Sequence, residues 1–465
     1  MAQATAIPAA AAPAARTLWL REARATVALA IPIALTLLAE AALVTTDAMF
    51  LGRLGETALA AAALAFMPYY AAYIAGMGVV TATAGLIAQA LGARRPRTAR
   101  RVVRQGLWIA LLLGIPMAAA MLGAEQILLA LDQPAAASAG AAHYLCGLAW
   151  ALPFSFAFAV LRNFAAALDR PRLALWIILA AVPVNALLDY ALIFGHFGLP
   201  RLEMLGAGIA TAIAESGMCI AMAIAAMRVQ PLARFRVLAR FWRPDWTIFR
   251  RIFAIGLPIA GILVMEFGLF AGAVVMLGWI GPTAIAAHHI ALHYASITFR
   301  LAWGLAQAAT VRVGYAFGRG DAEGVRRAGW TALALGVTVM FVLGLGMWIG
   351  ADTLPTLFAD ADEPANADLM ALSATLLTIA AAFQMMDGGQ SIGAGVLRGL
   401  NDTAVPMLYG CAGYWLLGIP GSYLMGFHTG LGAAGVWWGL ALGLGVVATI
   451  HALRFRWLTR RGIAA

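Results

Sequence analysis

Twelve transmembrane helices in two parallel six-helix bundles, related by a pseudo-twofold axis along the membrane normal, form the all-α integral membrane fold that three features of this 465-residue chain predict. The first is composition: 63% of residues are hydrophobic, 11% are charged and the mean hydropathy is +0.87, whereas charged residues make up about 25% of a soluble globule. The second is that the apolar residues fall in runs long enough to cross a hydrocarbon core of ~30 Å, which takes ~20 residues of helix. The third is a duplication. A shift of 226 positions lays Pro258 on Pro32, Glu266 on Glu40, Gly278 on Gly52 and Gly318 on Gly92, and a shift of 227 lays Ala434-Gly435 on Ala207-Gly208. Near-constant offsets over such a length mark two homologous halves.

Glycine, proline or charge delimits each run in turn. Runs 25–51 and 58–91 are parted by Gly52-Arg53 and Gly55-Glu56, and an arginine-rich loop around Pro96 precedes run 102–123. Pro134 precedes run 138–168, Asp169-Arg170-Pro171 precedes 173–195, and Gly198 to Arg201 precede 205–227. After a linker with Pro231 and Pro244 come runs 252–278 and 283–317, divided at Gly281-Pro282. Gly318 to Asp321 separate these from 328–350, an acidic loop leads to 366–397, Asn401-Asp402 to 405–427, and Gly430 to 431–453. The expected organisation is a tail over 1–24, a first bundle over 25–228, a linker over 229–250, a second bundle over 251–455 and a tail over 456–465. Six spans per half start and end on one side, so the halves are parallel repeats, with a cleft between them that can open to either face.

All 31 basic residues are arginine and the net charge is +10. In another setting this would suggest nucleic acid; here the arginines gather in the first tail, the 94–104 loop, around Arg170, in the linker, at 319–327 and after Arg454, all on one side of an even count of spans. They therefore orient the protein, with both termini in the cytoplasm, and no nucleic acid is expected as a partner. The opposite loops are acidic, with Glu125, Asp132, Asp352, Asp360, Asp362 and Glu363. The region before the first span lacks a short cleavable apolar segment and reads as a tail. Cys146, Cys219 and Cys411 lie far apart in apolar runs without metal spacing and read as packing residues.

Ionisable groups inside spans cost at least ~2.5 kcal/mol at a helix centre and so are functional candidates. The run Leu257 to Gly281 holds one, Glu266, and run ten holds Asp387 within FQMMDGGQSIGAG. The first half has Glu40 and Asp47, seven residues apart and on one helix face, then Asp189, which shares a face with Asn185 four residues earlier, and Glu215 near Thr211. Carboxylate, amide and hydroxyl oxygens from three helices suit Na+, and two close carboxyls suit a proton relay. Arg300 pairs with Glu266 or Asp387, lines a watery cavity, or snorkels from a short span. His288, His289 and His293 lack a second cluster at ligand spacing, so no metal beyond Na+ is expected. Tyr69, Tyr70, Tyr73, Phe154, Phe156, Phe158, Trp437 and Trp438 are candidates to line a cavity for flat cations, or to serve interface belts and packing. A Walker-type phosphate loop is absent, so energy comes from an ion gradient or a partner, and no cofactor is expected.

These stretches carry a resemblance. LPIAGILVMEFGLF, AIAAHHIALHYASITF followed by GLAQAATVRVGYAFGRGD, and FQMMDGGQSIGAGVLRGLNDTAVP, with TTDAMFLGRLGETALAA, LRNFAAALDRPR and NALLDYALIFG in the first half, resemble the multidrug and toxic compound extrusion (MATE) family, closest to its NorM-type branch, over about residues 27–450. The resemblance implies a secondary antiporter in the inner membrane of a bacterial cell that exports amphipathic, often cationic drugs against Na+ or H+. It implies a cation site in the second half at Glu266 and Asp387, and one in the first half at Asp47, Asn185, Asp189 and Thr211. Glu40 stands where the family pattern has a neutral amide and Arg300 where it has an apolar residue, so both, with Glu215, are candidate modulators. A lipid-linked oligosaccharide or amphiphile flippase of the same superfamily is the alternative, although its cationic cleft and extra spans are not apparent here. An intramembrane enzyme would need a catalytic constellation that is not seen. A monomer is expected, since the two halves already supply the pseudo-symmetric pair.

Overall fold

The computed structural model describes residues 15–360 and 363–462. α1 (Ala15–Gly52), α2 (Glu56–Gly92) and α3 (Pro96–Met121) come first. A short α4 (Ala124–Ala130) leads into α5 (Ala135–Leu148) and α6 (Ala151–Ala167), which form one span bent by 44° ahead of Pro153. α7 (Arg172–Phe194) and α8 (Glu203–Arg228) complete the first bundle. The second contains α9 (Trp246–Ile280), α10 (Pro282–Gly318), α11 (Ala322–Ile349) and α12 (Ala367–Gly399). Its fifth span is α13 (Ala404–Cys411), a π turn over Ala412–Gly418 and α14 (Ile419–Phe427), and α15 (Ala433–Arg460) is its last.

Among the described residues, nine helices are individually long and apolar enough to cross a membrane, and the bent α5–α6 pair makes a tenth. α10, whose histidines and Arg300 dilute its hydropathy, and the interrupted run from α13 to α14 bring the spans to twelve. The helices outrun the apolar stretches. α1 begins at Ala15, so Arg16, Arg21 and Arg24 extend the first span as helix, while residues 1–14 of the expected tail lie outside the described residues. Local chemistry sets the ends: the Asp245 carboxylate accepts from Ile248 N (3.2 Å) at the start of α9, and Asp321 accepts from Gly324 N (2.7 Å) at the start of α11. α7 stops at Gly195, in the left-handed region at φ 77°.

The two bundles meet along α1 and α2 of the first and α9 and α10 of the second. The contact is reciprocal. A Cβ on Gly92 would lie 2.1 Å from the Tyr315 carbonyl oxygen, and one on Gly318 would lie 2.1 Å from that of Gln89. Gly78 likewise abuts Ala260, and Gly304 abuts Ala34. Every one of these pairs maps onto the other by the 226-residue shift, which is the signature of an isologous contact across a twofold axis. With no side chain in the way, the backbones of α2 and α10 touch directly.

That seam lies at the arginine-rich end. One apolar core runs through both bundles there, from Val79, Val80 and Ile87 to Ile252, Leu305 and Val396. At the opposite end it divides into two cores, around Leu51, Ala61 and Leu145 in the first bundle and around Leu269, Leu376 and Trp437 in the second. Polar contacts close the shared end: Gln89 Nε2 donates to the Gly399 carbonyl and Asn401 Nδ2 to Gln89 Oε1, both at 2.8 Å, and Arg312 grips Glu22 through two bonds of 2.8 Å. The molecule is sealed at the arginine-rich end and parted at the other.

Candidate functional site

In the first bundle the structure brings Asp47, Asn185, Asp189 and Thr211 together. Asp47 lies in the last turns of α1, Asn185 and Asp189 sit one turn apart on α7, and Thr211 is on α8. The single Asn185 Nδ2 donates to Asp47 Oδ1 (2.6 Å) and to Asp189 Oδ2 (2.9 Å), and the Thr211 hydroxyl donates to Asp47 Oδ2 (2.6 Å). Asn185 and Asp189 are 0% exposed and Asp47 4%. No basic side chain bonds to these carboxylates among the described residues, and Asn185 Oδ1 and Asp189 Oδ1 are buried without a partner. Two buried carboxylates that share one amide NH2 repel each other when both are charged, and a cation or proton between them relieves that repulsion. An oxygen-only set with unused lone pairs fits either a hard monovalent cation or a proton.

The second bundle repeats this design with other residues. Gln390 Nε2, three residues after Asp387 on α12, donates to Glu266 Oε1 of α9 (3.1 Å) and to Asp387 Oδ1 (3.4 Å). The Tyr414 hydroxyl donates to Gln390 Oε1 (2.8 Å) and so turns the amide nitrogen toward the acids. Tyr414 is fully buried and belongs to the π turn, a helix defect that is frequent at functional sites. In each bundle, then, one amide NH2 bridges a carboxylate of the first helix and a carboxylate of its own helix, with a hydroxyl holding the set.

The expected modulators are placed as follows. Glu40 forms an ion pair with Arg162 of α6, whose guanidinium is buried. Glu215, half-buried on α8 one turn from Thr211, comes within electrostatic range of Glu40, Arg162 and Asp47. Arg300 pairs with neither Glu266 nor Asp387; its Nη1 donates to the Leu37 carbonyl of α1 (3.2 Å), across the bundle boundary at mid-span, and it does not snorkel to an end. His288 is buried against Trp437, and no cluster of three His, Cys, Asp or Glu side chains suited to a metal ion occurs among the described residues. All three cysteines are free.

Four residues escaped the sequence reading: Gln390, Tyr414, Arg162 and Arg398. Arg398 is buried, its guanidinium 4.9 Å from the Trp303 ring, and it acts electrostatically on Glu266. Each arginine ends a Val-Leu-Arg tripeptide, Val160-Leu161-Arg162 and Val396-Leu397-Arg398, but the two lie 236 residues apart, outside the 226-residue register, so the constant shift does not mark them. Gln390 shares a helix face with Asp387 at spacing three; nothing local announces Tyr414.

Of the candidate aromatics, Phe156, Phe158 and Trp437 are core residues. Tyr69, Tyr70 and Tyr73 form a stacked series on α2 with Phe66, and Tyr70 meets Phe267 of α9 edge-on at 5.6 Å, where the two bundles begin to part. Flat apolar faces therefore floor the opening between the two carboxylate sets.

Comparison with known proteins follows the same lines. The MatE family model matches residues 32–191 and 258–424, two segments whose starts are 226 residues apart. A probable multidrug resistance protein NorM of Bradyrhizobium diazoefficiens is 46% identical over 94% of this chain and 93% of its own. A protein of the same name from Rhodopseudomonas palustris is 44% identical over 98% of this chain and 96% of its own. Among solved structures, an outward-facing multidrug resistance MATE family transporter of the MOP superfamily is similar with a TM-score of 0.85 at 20% identity, covering 97% of this chain and 99% of that one. The eukaryotic MATE transporter AtDTX14 has a TM-score of 0.83 at 21% identity, over 96% and 98% of the two chains. At these identities the structural likeness is one of fold.

Proposed function

The chain belongs to the MatE family of transporters, and from that premise we propose that it is a secondary multidrug exporter, not an enzyme, driven by Na+ or H+ entering the cell. The carrying observation is the amide-bridged carboxylate pair in each bundle: Asp47 and Asp189 on Asn185, Glu266 and Asp387 on Gln390. Buried acids without a bonded base are costly unless a positive charge visits them, and toward the end where the bundles keep separate cores no shared core stands between them. With the arginine-rich end in the cytoplasm, the arrangement is open outward.

A cation entering from outside neutralises a pair and removes the repulsion between its carboxylates. The first bundle offers Na+ the free Oδ1 atoms of Asn185 and Asp189 besides the Asp47 oxygens. In the second bundle Tyr414 occupies the amide oxygen, so Glu266 and Asp387 themselves carry the added charge. Neutralisation favours rearrangement of α1 and α9, which hold one acid of each pair and also line the boundary between bundles. Drug is released outward, and the cation leaves on the inner side after the sealed end opens. Amphipathic cations suit the tyrosine series beneath acidic walls. An anionic lipid-linked sugar suits it less, because the carboxylate pairs of the two bundles would repel it.

The test is ethidium transport in proteoliposomes under a Na+ gradient alone and a pH gradient alone. Transport under either supports the reading and names the ion. Absence of transport under both, with the protein folded and inserted, overturns it.

A further inference from the structure

The sealed end carries a second charged feature that transport does not use. α11 and α15 flank a cleft of about 550 Å³ lined by Arg326, Trp330, Arg456, Thr459 and Arg460. Gly329 builds it: a Cβ there would lie 2.2 Å from the Phe455 ring, so the glycine admits Phe455, whose ring packs 5.8 Å from that of Trp330. The three arginines are exposed; Arg326 has Glu323 as its neighbour at 3.2 Å, and Arg456 and Arg460 have no carboxylate partner among the described residues.

The duplicated half shows what such a ridge requires. α3 and α11 begin 226 residues apart, at Pro96 and Ala322, and each carries an arginine pair in its second turn, Arg100-Arg101 and Arg326-Arg327. On α3, oxygen acceptors of the linker cover the ridge: Arg104 Nη1 donates to the carbonyls of Ala239 (3.2 Å) and Arg240 (2.7 Å), Trp108 Nε1 donates to that of Phe241 (2.9 Å), and Arg101 faces Asp245 at 3.4 Å. On α11 no described segment supplies such acceptors. Below the cleft the exposed residues turn apolar, with Ala334, Val337 and Phe341 continuing the face of Arg326 and Trp330, and Leu453 continuing that of Arg456 and Arg460. Charge at the membrane surface, an interfacial tryptophan and an apolar stripe running inward match a headgroup with acyl chains below it.

We propose that the cleft between α11 and α15 binds the phosphate headgroup of an anionic phospholipid, with Arg326, Arg456 and Arg460 on the phosphate and the acyl chains along Val337, Phe341 and Leu453. The lipid supplies in the second bundle the oxygen acceptors that the linker supplies in the first.

The experiment is native mass spectrometry of the full chain, with phosphatidylglycerol and phosphatidylethanolamine of matched chains titrated in, and inorganic phosphate added as competitor. Wild type is expected to retain phosphatidylglycerol in preference to phosphatidylethanolamine. Arg456→Gln/Arg460→Gln is expected to weaken that retention by about fivefold per arginine, while Arg97→Gln, an exposed arginine at the same end, leaves it unchanged. Because the substituted residues are exposed at a helix end, folding is checked by an unchanged melting profile without lipid; Trp330→Leu is a second variant, expected to weaken retention of both lipids. Equal retention of the two lipids, equal retention by the double variant, or full displacement by millimolar phosphate would each overturn the assignment, the last in favour of a free-anion site.

Discussion

At the scale of single residues, the proposed transport rests on where buried charge is left unbalanced. Asp387→Asn or Glu266→Gln removes one acid of the second pair while keeping its hydrogen-bonding shape, so ethidium export is expected to fall at least tenfold with folding intact. Wild-type export by both variants would dismiss that pair. Tyr414→Phe deletes one hydroxyl and frees the Gln390 amide to turn. A buried hydrogen bond lost in this way is worth about 1–3 kcal/mol, and the expected outcome is roughly tenfold weaker apparent affinity for the driving cation, read from export against cation concentration. Glu40 and Arg162 behave differently because they compensate each other. Arg162→Gln alone is expected to destabilise by on the order of 3 kcal/mol, and Glu40→Gln/Arg162→Gln to recover most of it. Thermal unfolding of the three variants in one detergent decides this; a double variant as unstable as the single one would mean that the guanidinium matters for packing.

At the scale of elements, the decisive contact is α2 against α10. Gly92 and Gly318 allow backbone to touch backbone, and the 2.1 Å approaches leave no room for a methyl group. Gly318→Ala is therefore expected to wedge the sealed end apart, lowering the melting temperature by several degrees and giving water access to the seam. Maleimide labelling of Val313→Cys, a position on α10 that is fully buried while the end is sealed, with and without Gly318→Ala, reads that access; unchanged labelling would place the seal elsewhere, on the Glu22–Arg312 pair or the Gln89–Asn401 bond. The α13-to-α14 span makes the complementary point. Its apolar run announces a helix, but the π turn that swings Tyr414 onto Gln390 depends on packing against α15, where Gly413 and Gly418 lie against Gly443.

At the scale of the whole molecule, orientation and duplication act together. In a background lacking the three native cysteines, Ala135→Cys, at the acidic end, is expected to react with an impermeant maleimide added to intact cells, and Arg243→Cys, in the arginine-rich linker, only after lysis. The reverse pattern would invert the direction of export. The two bundles share one core at the arginine-rich end and keep separate cores at the other. On the proposed mechanism, opening the opposite side requires the shared core to divide along the glycine seam while the separate cores come together, a rocking of two preformed bodies about α1, α2, α9 and α10.

The sequence by itself determined the membrane class, the twelve spans, the duplication and the acids that lie within the membrane, because hydropathy, loop charge and a constant offset are properties of the linear chain. It also placed Asp47, Asn185, Asp189 and Thr211 as one set, since helical spacing and the family resemblance reach that far. Only the tertiary structure decided that Asn185 and Gln390 each bridge two carboxylates, that Arg162 claims Glu40 and that Arg300 reaches the Leu37 carbonyl. The partners on different helices stand 122 to 263 residues apart. Which of two helix faces turns inward, and which base reaches which acid, follows from how helices pack against one another, and no local pattern along the chain records that.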